Sequence, residues 1–287
     1  MTIDYLAHPQ PLADHQYAVI DRVRVPKLPK SWPLIELVSP MLEPQARLYP
    51  WLVPLHELSS GEWYSLMVEL SQHSEPNLPP VCSLLLSSLQ TPQAVKNALV
   101  SAMHIKDEHH KRHILRYYDP RVMFHLHWML SPWQLFNQLH AQEISRWTFW
   151  LDGRWHTLAF PKSVVFQSDE TSGFPLAQLQ RIGQINQTLK KLPCSPDMAR
   201  RQEMSRKIDA LLEQATTCQL PTPEDCIAFA LHGLKQREGF WTAPRMAAFL
   251  AQVRQQPDCY RDETSNWSES RWQDMTEIQS SNTAWKN

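Results

Sequence analysis

Five histidines form the only cluster in the sequence whose spacing approaches that of a metal site. His109, His110 and His113 lie close together and are followed by His125 and His127. Neutral imidazoles that share one face of a helix or strand can bind zinc or nickel. The first three, however, fall in a polar run typical of an exposed loop, and the last two lie on a predicted helix, where residues i and i+2 point apart. We therefore predict solvated histidines and no bound metal.

Other catalytic patterns are missing from the sequence. There is no glycine-rich phosphate or dinucleotide loop, no Gly-x-Ser-x-Gly and no His-Glu-x-x-His, and the chain has only six glycines. The five cysteines form no Cys-x-x-Cys pair, and no basic or histidine-rich setting marks one as a nucleophile. We expect a protein that is not an enzyme and needs no cofactor. The alternative is a hydrolase or metal-dependent enzyme whose site is assembled in space around the histidines.

Composition favours a globular protein that binds other proteins. The chain has 287 residues, of which 43% are hydrophobic and twelve are tryptophan, a side chain that often anchors interfaces. The 28 basic and 29 acidic residues nearly cancel, which argues against a nucleic-acid or anionic-membrane partner. The sequence shows neither a signal peptide nor a run of 18 apolar residues, so we expect a cytoplasmic protein without membrane insertion.

Local patterns predict an α+β fold. Short apolar runs at residues 17–20, 82–86 and 113–118 predict strands. Asp152-Gly153 readily adopts a type I′ turn, so the flanking runs predict a β-hairpin. Helix starts are indicated where a capping hydroxyl precedes a proline, at Thr91-Pro92, Ser131-Pro132, Ser195-Pro196 and Thr222-Pro223.

These patterns divide the chain into three parts. Residues 1–165 are predicted to form a mixed domain with a small sheet and helices, and residues 174–256 an all-helical lobe. Residues 257–287 are a polar tail that contains Trp267, Trp272 and Trp285. We expect a loosely ordered tail, with docking through its tryptophans as the alternative. Six basic residues of the lobe are interpreted as the solvated face of helices, with an acidic partner as the alternative: Lys190, Lys191, Arg200, Arg201, Arg206 and Lys207.

The most distinctive run is Arg-Tyr-Tyr-Asp-Pro-Arg-Val at residues 116–122. It predicts a strand that ends at Tyr118 and a helix capped by Asp119, with proline at the first helical position. The carboxylate of Asp119 suits the positive end of the helix dipole. Arg116 and Arg121 then lie at the same corner with hydrogen-bond donors to spare.

This run resembles the signature of a bacterial adaptor-chaperone family that serves type VI secretion, built on a domain of unknown function. Residues 17–21, Tyr-Ala-Val-Ile-Asp, resemble the family's opening Tyr-Ala-Leu-Ile-Asp, and residues 50–53 match its Pro-Trp-Leu-Val. Two departures occur. Arg22 stands where the family often has glycine, and Phe136 is followed by Asn137 instead of Gly-Pro.

The resemblance implies a non-secreted helper that binds a secreted effector in the cytosol and helps load it onto the VgrG spike protein. A structural component of a larger assembly is a further alternative. Trp147 and Trp150 should point to opposite faces of their strand, so we expect one of them to be exposed or to lie beneath the helical lobe. The residues predicted to contact the effector are Arg116, Tyr117, Asp119, Arg121, Trp150 and Trp155.

Overall fold

A computed structural model describes residues 3–73, 75, 78–107, 109–161, 173–193 and 197–277. The chain divides into two compact units, Met1–Leu179 and Gln180–Asn287. The polar run at residues 167–173, which the sequence predicts as the link between the two parts, lies outside the described residues except for Gly173. Within the described ranges, no helix has both the length and the apolar character needed to span a bilayer.

The first unit is built on a six-stranded antiparallel sheet with the order β2-β3-β1-β4-β7-β8, and β5 and β6 form a separate two-stranded ribbon. The predicted α+β class is confirmed. The strands are β1 (Tyr17–Ile20), β2 (Ile35–Glu36), β3 (Trp51–Pro54), β4 (Leu84–Ser87), β5 (His104–Lys106), β6 (Arg112–Ile114), β7 (Arg146–Leu151) and β8 (Arg154–Ala159). Its helices are α1 (Ser60–Gln72), α2 (Pro92–Ala102), α3 (Pro120–Met129), α4 (Pro132–Gln138) and α5 (Leu176–Gln180), the last of which ends at the boundary between the units.

Both faces of the large sheet are buried. On one face, Ala18 and Leu85 pack against Leu66 and Leu70 of α1. On the other face, α3 packs against β7. A sheet covered on both sides buries continuous apolar runs, as seen at β1, where all four residues are buried.

Local signals set most element boundaries. Asp152 and Gly153 both have positive φ, 48° and 86°, which confirms the predicted type I′ hairpin between β7 and β8. Thr91 and Ser131 cap α2 and α4 as predicted, each accepting the N–H three residues later. The strand predicted for residues 113–118 is too long. It ends at Ile114, because the chain then turns, with the Asp119 N–H donating to the Arg116 carbonyl oxygen at 2.9 Å.

The second unit is helical in its described part. It contains α6 (Ile182–Leu189), α7 (Met198–Thr217), α8 (Pro223–Gly233), α9 (Pro244–Val253), α10 (Cys259–Thr264) and α11 (Glu269–Thr276). Thr222 caps α8 as predicted. Ser195 and Pro196, a predicted helix start, lie outside the described residues. The following helix, α7, begins at Met198 with Asp197 as its N-cap.

Residues 257–276 differ from the loose tail expected from the sequence. Trp267 and Trp272 are buried, with ring centroids 4.8 Å apart. The buried carboxylate of Asp225 on α8 accepts the N–H groups of Asp258 and Arg261, each at 2.9 Å. These contacts attach α10 and α11 to the helical unit. Trp285 lies outside the described residues.

Candidate functional site

The candidate site is the point where the first and third sequence motifs meet. We call it the arginine corner and define it by Asp21, Arg116, Asp119 and Arg121. Asp21 directly follows β1, and Asp119 is the N-cap of α3. The Nη2 of Arg116 lies 3.3 Å from Oδ2 of Asp21, across 95 residues of chain. Two segments distant in sequence are therefore joined by an ion pair.

Asp119 has a structural role at this corner. Its Oδ1 accepts the N–H of Arg121 at 3.0 Å, which satisfies one of the free amides of the first helical turn, as predicted. The guanidinium of Arg121 also donates two hydrogen bonds to the carboxylate, from Nε to Oδ1 at 3.0 Å and from Nη2 to Oδ2 at 2.7 Å. Burial alone would raise the pKa of Asp119, but the hydrogen bonds and charge of Arg121 hold it below its usual value.

Arg116 is held from two sides and still reaches solvent. Besides its contact with Asp21, its guanidinium lies 5.5 Å from the ring centroid of Tyr118. The side chains of Arg116 and Arg121 are 52% and 49% exposed. Two oriented cations therefore present unused donors at one surface. Val23, two residues after Asp21, is exposed beside the turn that Asp21 closes.

Sequence reasoning missed one cation close to this corner. Arg24 donates to the carbonyl oxygens of Pro79, Pro80 and Val81 and so fixes the chain that enters β4. Burial lowers the pKa of Arg24, while the charges of Asp21 and Asp119 oppose that shift. No local pattern marks this arginine, because its partners lie more than fifty residues away.

Tyr117, predicted to contact an effector, is fully buried. Its hydroxyl donates to the Leu99 carbonyl oxygen at 3.1 Å, and its ring stands edge-on to Trp147 at 5.3 Å. The Tyr117 side chain thus anchors the motif at residues 116–122 to the core, where it packs against β7. Tyr117 is therefore not part of the accessible surface of this fold.

The tryptophans of the hairpin are placed differently from expectation. Trp147 and Trp150 do point to opposite faces, yet both are buried, with 0% and 3% exposure. Of the two predicted alternatives, exposure or a place beneath the helical lobe, exposure is wrong for both rings, because α1 covers the second face. There Trp150 packs against His73, which follows α1, and against Trp155, at ring distances of 5.1 Å and 5.5 Å. Trp155 is half-buried, and its indole N–H donates to the Leu70 carbonyl oxygen.

The five histidines do not come together as a metal site. His109 and His110 are exposed, as predicted, and His113 pairs with Asp107 at 2.9 Å. The prediction of solvation is wrong for His125, which is fully buried on α3 and whose Nδ1 accepts the Trp128 indole N–H at 3.0 Å. The half-buried His127 donates to the Ile3 carbonyl oxygen. Among the described residues, no group of three or more histidine, cysteine or acidic side chains is arranged to hold a metal ion.

The basic residues of the helical unit occupy solvated positions. Five of the six are exposed, and Arg201 is half-buried. Lys207 pairs with Glu203 one turn earlier at 2.7 Å, and Arg200 lies 3.7 Å from Asp197. These short-range pairs along α7 agree with the interpretation of a solvated helix face.

Comparison with known proteins bears on the first unit. Residues 16–136 match the model of a family described as "Domain of unknown function (DUF4123)". The matched span contains all three sequence motifs and every residue of the arginine corner. No curated protein matches the chain, and no solved structure matches it.

Proposed function

We propose that this protein is a cytoplasmic adaptor-chaperone that binds a type VI secretion effector and helps load it onto the VgrG spike. The observation that carries the proposal is the family match over residues 16–136, since this span holds the three motifs on which the resemblance to adaptor-chaperones rests. The second unit lies beyond the matched residues.

The arginine corner is the surface of the first unit that we propose contacts the effector. Arg116 and Arg121 are each oriented by an aspartate and are half exposed. Holding a long side chain in place before binding reduces the entropy lost when a partner arrives. Guanidinium groups with unused donors can bind carboxylates of the partner and fix its orientation.

The residues of the corner are poorly suited to catalysis, which supports a binding role. The carboxylate of Asp119 is occupied by Arg121 and a helix amide, and its lowered pKa makes it a weak general base. Outside the corner, on α8 of the second unit, burial raises the pKa of the Cys226 thiol to about 11, so little thiolate forms there at neutral pH. We propose that the protein is not an enzyme.

The proposal is tested by co-expression with the effector encoded beside its gene, followed by size-exclusion chromatography. Wild-type protein should elute with the effector as one complex. A variant with Arg116→Glu and Arg121→Glu should fold and elute apart from it. A control with Lys27→Glu and Arg154→Glu has the same net charge and leaves the corner intact, so it should retain the complex. Separate elution of the wild-type protein and the effector would contradict the proposal.

A further inference from the structure

A groove of about 530 Å³ lies in the first unit, between one face of α2 and one face of the β5–β6 ribbon. We call it the basic groove. Its α2 wall consists of residues spaced three or four apart, which places them on one side of the helix. The lining residues are Val38, Pro40, Gln93, Lys96, Asn97, Val100, Ser101, His104, Lys106 and Arg112.

The register of the ribbon determines which side chains face this groove. His104 lies opposite Ile114, and Lys106 lies opposite Arg112. Paired residues share a face of a ribbon, so these four side chains stand together on one side. Ile105, between them in sequence, is buried on the other side. The inner face of the ribbon thus carries Ile105 and its partner His113, whereas Lys106 and Arg112 lie on the outer face.

All the charged side chains that line the basic groove are positive. Its charged lining residues are Lys96, Lys106 and Arg112. Within the described ranges, none of the three pairs with a carboxylate. The adjacent Asp107 is occupied elsewhere, because its Oδ2 lies 2.9 Å from the His113 imidazole and its Oδ1 accepts loop amides.

Two cations directly opposite each other on neighbouring strands destabilise a ribbon. Lys106 and Arg112 have this arrangement in a ribbon of only three residue pairs. An anionic occupant placed between them would remove that repulsion. The ribbon is therefore arranged to gain stability when it binds negative charge.

Apolar side chains flank the same cations. Met41 is 74% exposed, and its sulfur lies 3.1 Å from Nη1 of Arg112. Ile114, on the outer face of the ribbon, is 42% exposed. Among the described residues, no Phe, Tyr or Trp lines the groove, so the stacking platform typical of single-stranded nucleic-acid sites is not present there. Exposed aliphatic side chains beside cations match a protein segment better than a nucleic acid.

We propose that the basic groove binds an acidic segment of a partner protein, in which Asp or Glu residues are interspersed with apolar ones. Carboxylates of the segment would meet Lys96, Lys106 and Arg112. Its apolar side chains would cover Met41 and Ile114. The inference concerns a surface formed by residues other than those of the arginine corner and does not depend on the proposed function.

The proposal is tested with a fluorescein-labelled peptide of about a dozen residues that alternates glutamate and leucine, a length suited to a groove-binding segment. Binding to the full chain is followed by fluorescence anisotropy. We expect saturable binding that weakens as salt is raised. A matched peptide with lysine in place of glutamate, and a single-stranded RNA of similar length, should not bind. Absence of binding by the acidic peptide, or tighter binding of the RNA, would overturn the proposal.

Charge-reversed and apolar-to-polar variants test whether the acidic peptide binds at the basic groove. Lys106→Glu combined with Arg112→Glu should weaken binding of the acidic peptide at least about tenfold, because two charge contacts change from attractive to repulsive. The Lys27→Glu, Arg154→Glu protein changes net charge equally and should bind as wild type, since neither residue lines the groove. Met41→Ser should weaken binding without altering its salt dependence. If both charge-reversed proteins bind the acidic peptide equally weakly, the attraction is nonspecific. That result would contradict binding at the basic groove.

Discussion

Trp147 and Trp150 lie three residues apart on β7 and bury their rings on opposite faces of one sheet. Trp147 packs against Tyr117 of the third motif, whereas Trp150 packs against His73 and Trp155. The strand between them joins the two halves of the core of the first unit. Trp147 and Trp150 are thus buried core residues and not exposed interface residues.

Trp150→Ala should lower the free energy of unfolding by about 3–5 kcal/mol, the usual effect of removing a buried large aromatic side chain. Trp155→Ala, at a half-buried position of the same face, should cause a smaller loss. Urea unfolding followed by far-ultraviolet circular dichroism measures both. Wild-type stability in the Trp150 variant would show that its ring is not part of the core.

Asp119→Ala should cost about 1 kcal/mol of stability through the lost helix cap. Asp119→Asn is the matched variant, because asparagine caps a helix equally well but cannot form the ion pair with Arg121. Asn should therefore restore most of the stability lost with Ala. If both variants unfold at the wild-type urea concentration while effector binding is lost, Asp119 is a contact residue and not a cap.

The ion pair of Asp119 should also depend on pH. Its pKa is lower in the folded protein than in the unfolded chain, so the pair contributes stability above the ordinary aspartate pKa of about 3.9. That contribution disappears as pH falls through the folded value. The stability difference between wild type and Asp119→Asn should therefore shrink in acid. A difference that stays constant from neutral pH to about pH 2.5 would contradict this reasoning.

His232 should make the helical unit sensitive to acid. Burial lowers the pKa of its imidazole to about 4, and its Nδ1 lies 3.0 Å from the Tyr260 hydroxyl. Because the folded state favours the neutral ring, stability is complete above the unfolded pKa of about 6.5 and is lost as pH falls towards 4. The slope should reach at most about 1.4 kcal/mol per pH unit. Amide hydrogen exchange of α8 and α11 at several pH values measures this dependence of stability on pH. The His232→Gln variant should not show it.

Lys106→Glu should stabilise the ribbon in the absence of any partner. The change converts a like-charge pair with Arg112 into an opposite-charge pair, which is worth about 0.2–1 kcal/mol on neighbouring strands. Lys106→Gln, which only removes the repulsion, should give a smaller gain. Amide hydrogen exchange across β5 and β6 is the readout. Faster exchange in the Glu variant than in wild type would contradict the stated repulsion.

The sequence predicts local structure well because capping and turn chemistry act over a few residues. Asp119 at the start of α3 and Asp152-Gly153 in the hairpin are examples. It does not predict which elements cover which face. The Asp21–Arg116 contact spans 95 residues, and the covering of Trp150 depends on α1, far away in sequence.

The same dependence on distant partners explains why the loose tail expected from the sequence is wrong for residues 257–276. Trp267 and Trp272 show no sustained helical period, so their neighbours in sequence give no sign of burial. Their burial depends on partners elsewhere in the unit, such as Phe249, 4.9 Å from Trp267, and His232, 4.5 Å from Trp272. The basic groove was missed for a related reason, since only strand pairing brings Lys106 and Arg112 opposite each other.

If the protein loads a secreted effector, a strain that lacks its gene should fail to release that effector. The cognate effector should disappear from the culture supernatant while the needle protein is still released. Wild-type protein should restore effector secretion, and the Arg116→Glu, Arg121→Glu variant should not, although the Lys27→Glu, Arg154→Glu control should. Undiminished secretion of the effector in the deletion strain would contradict the adaptor function.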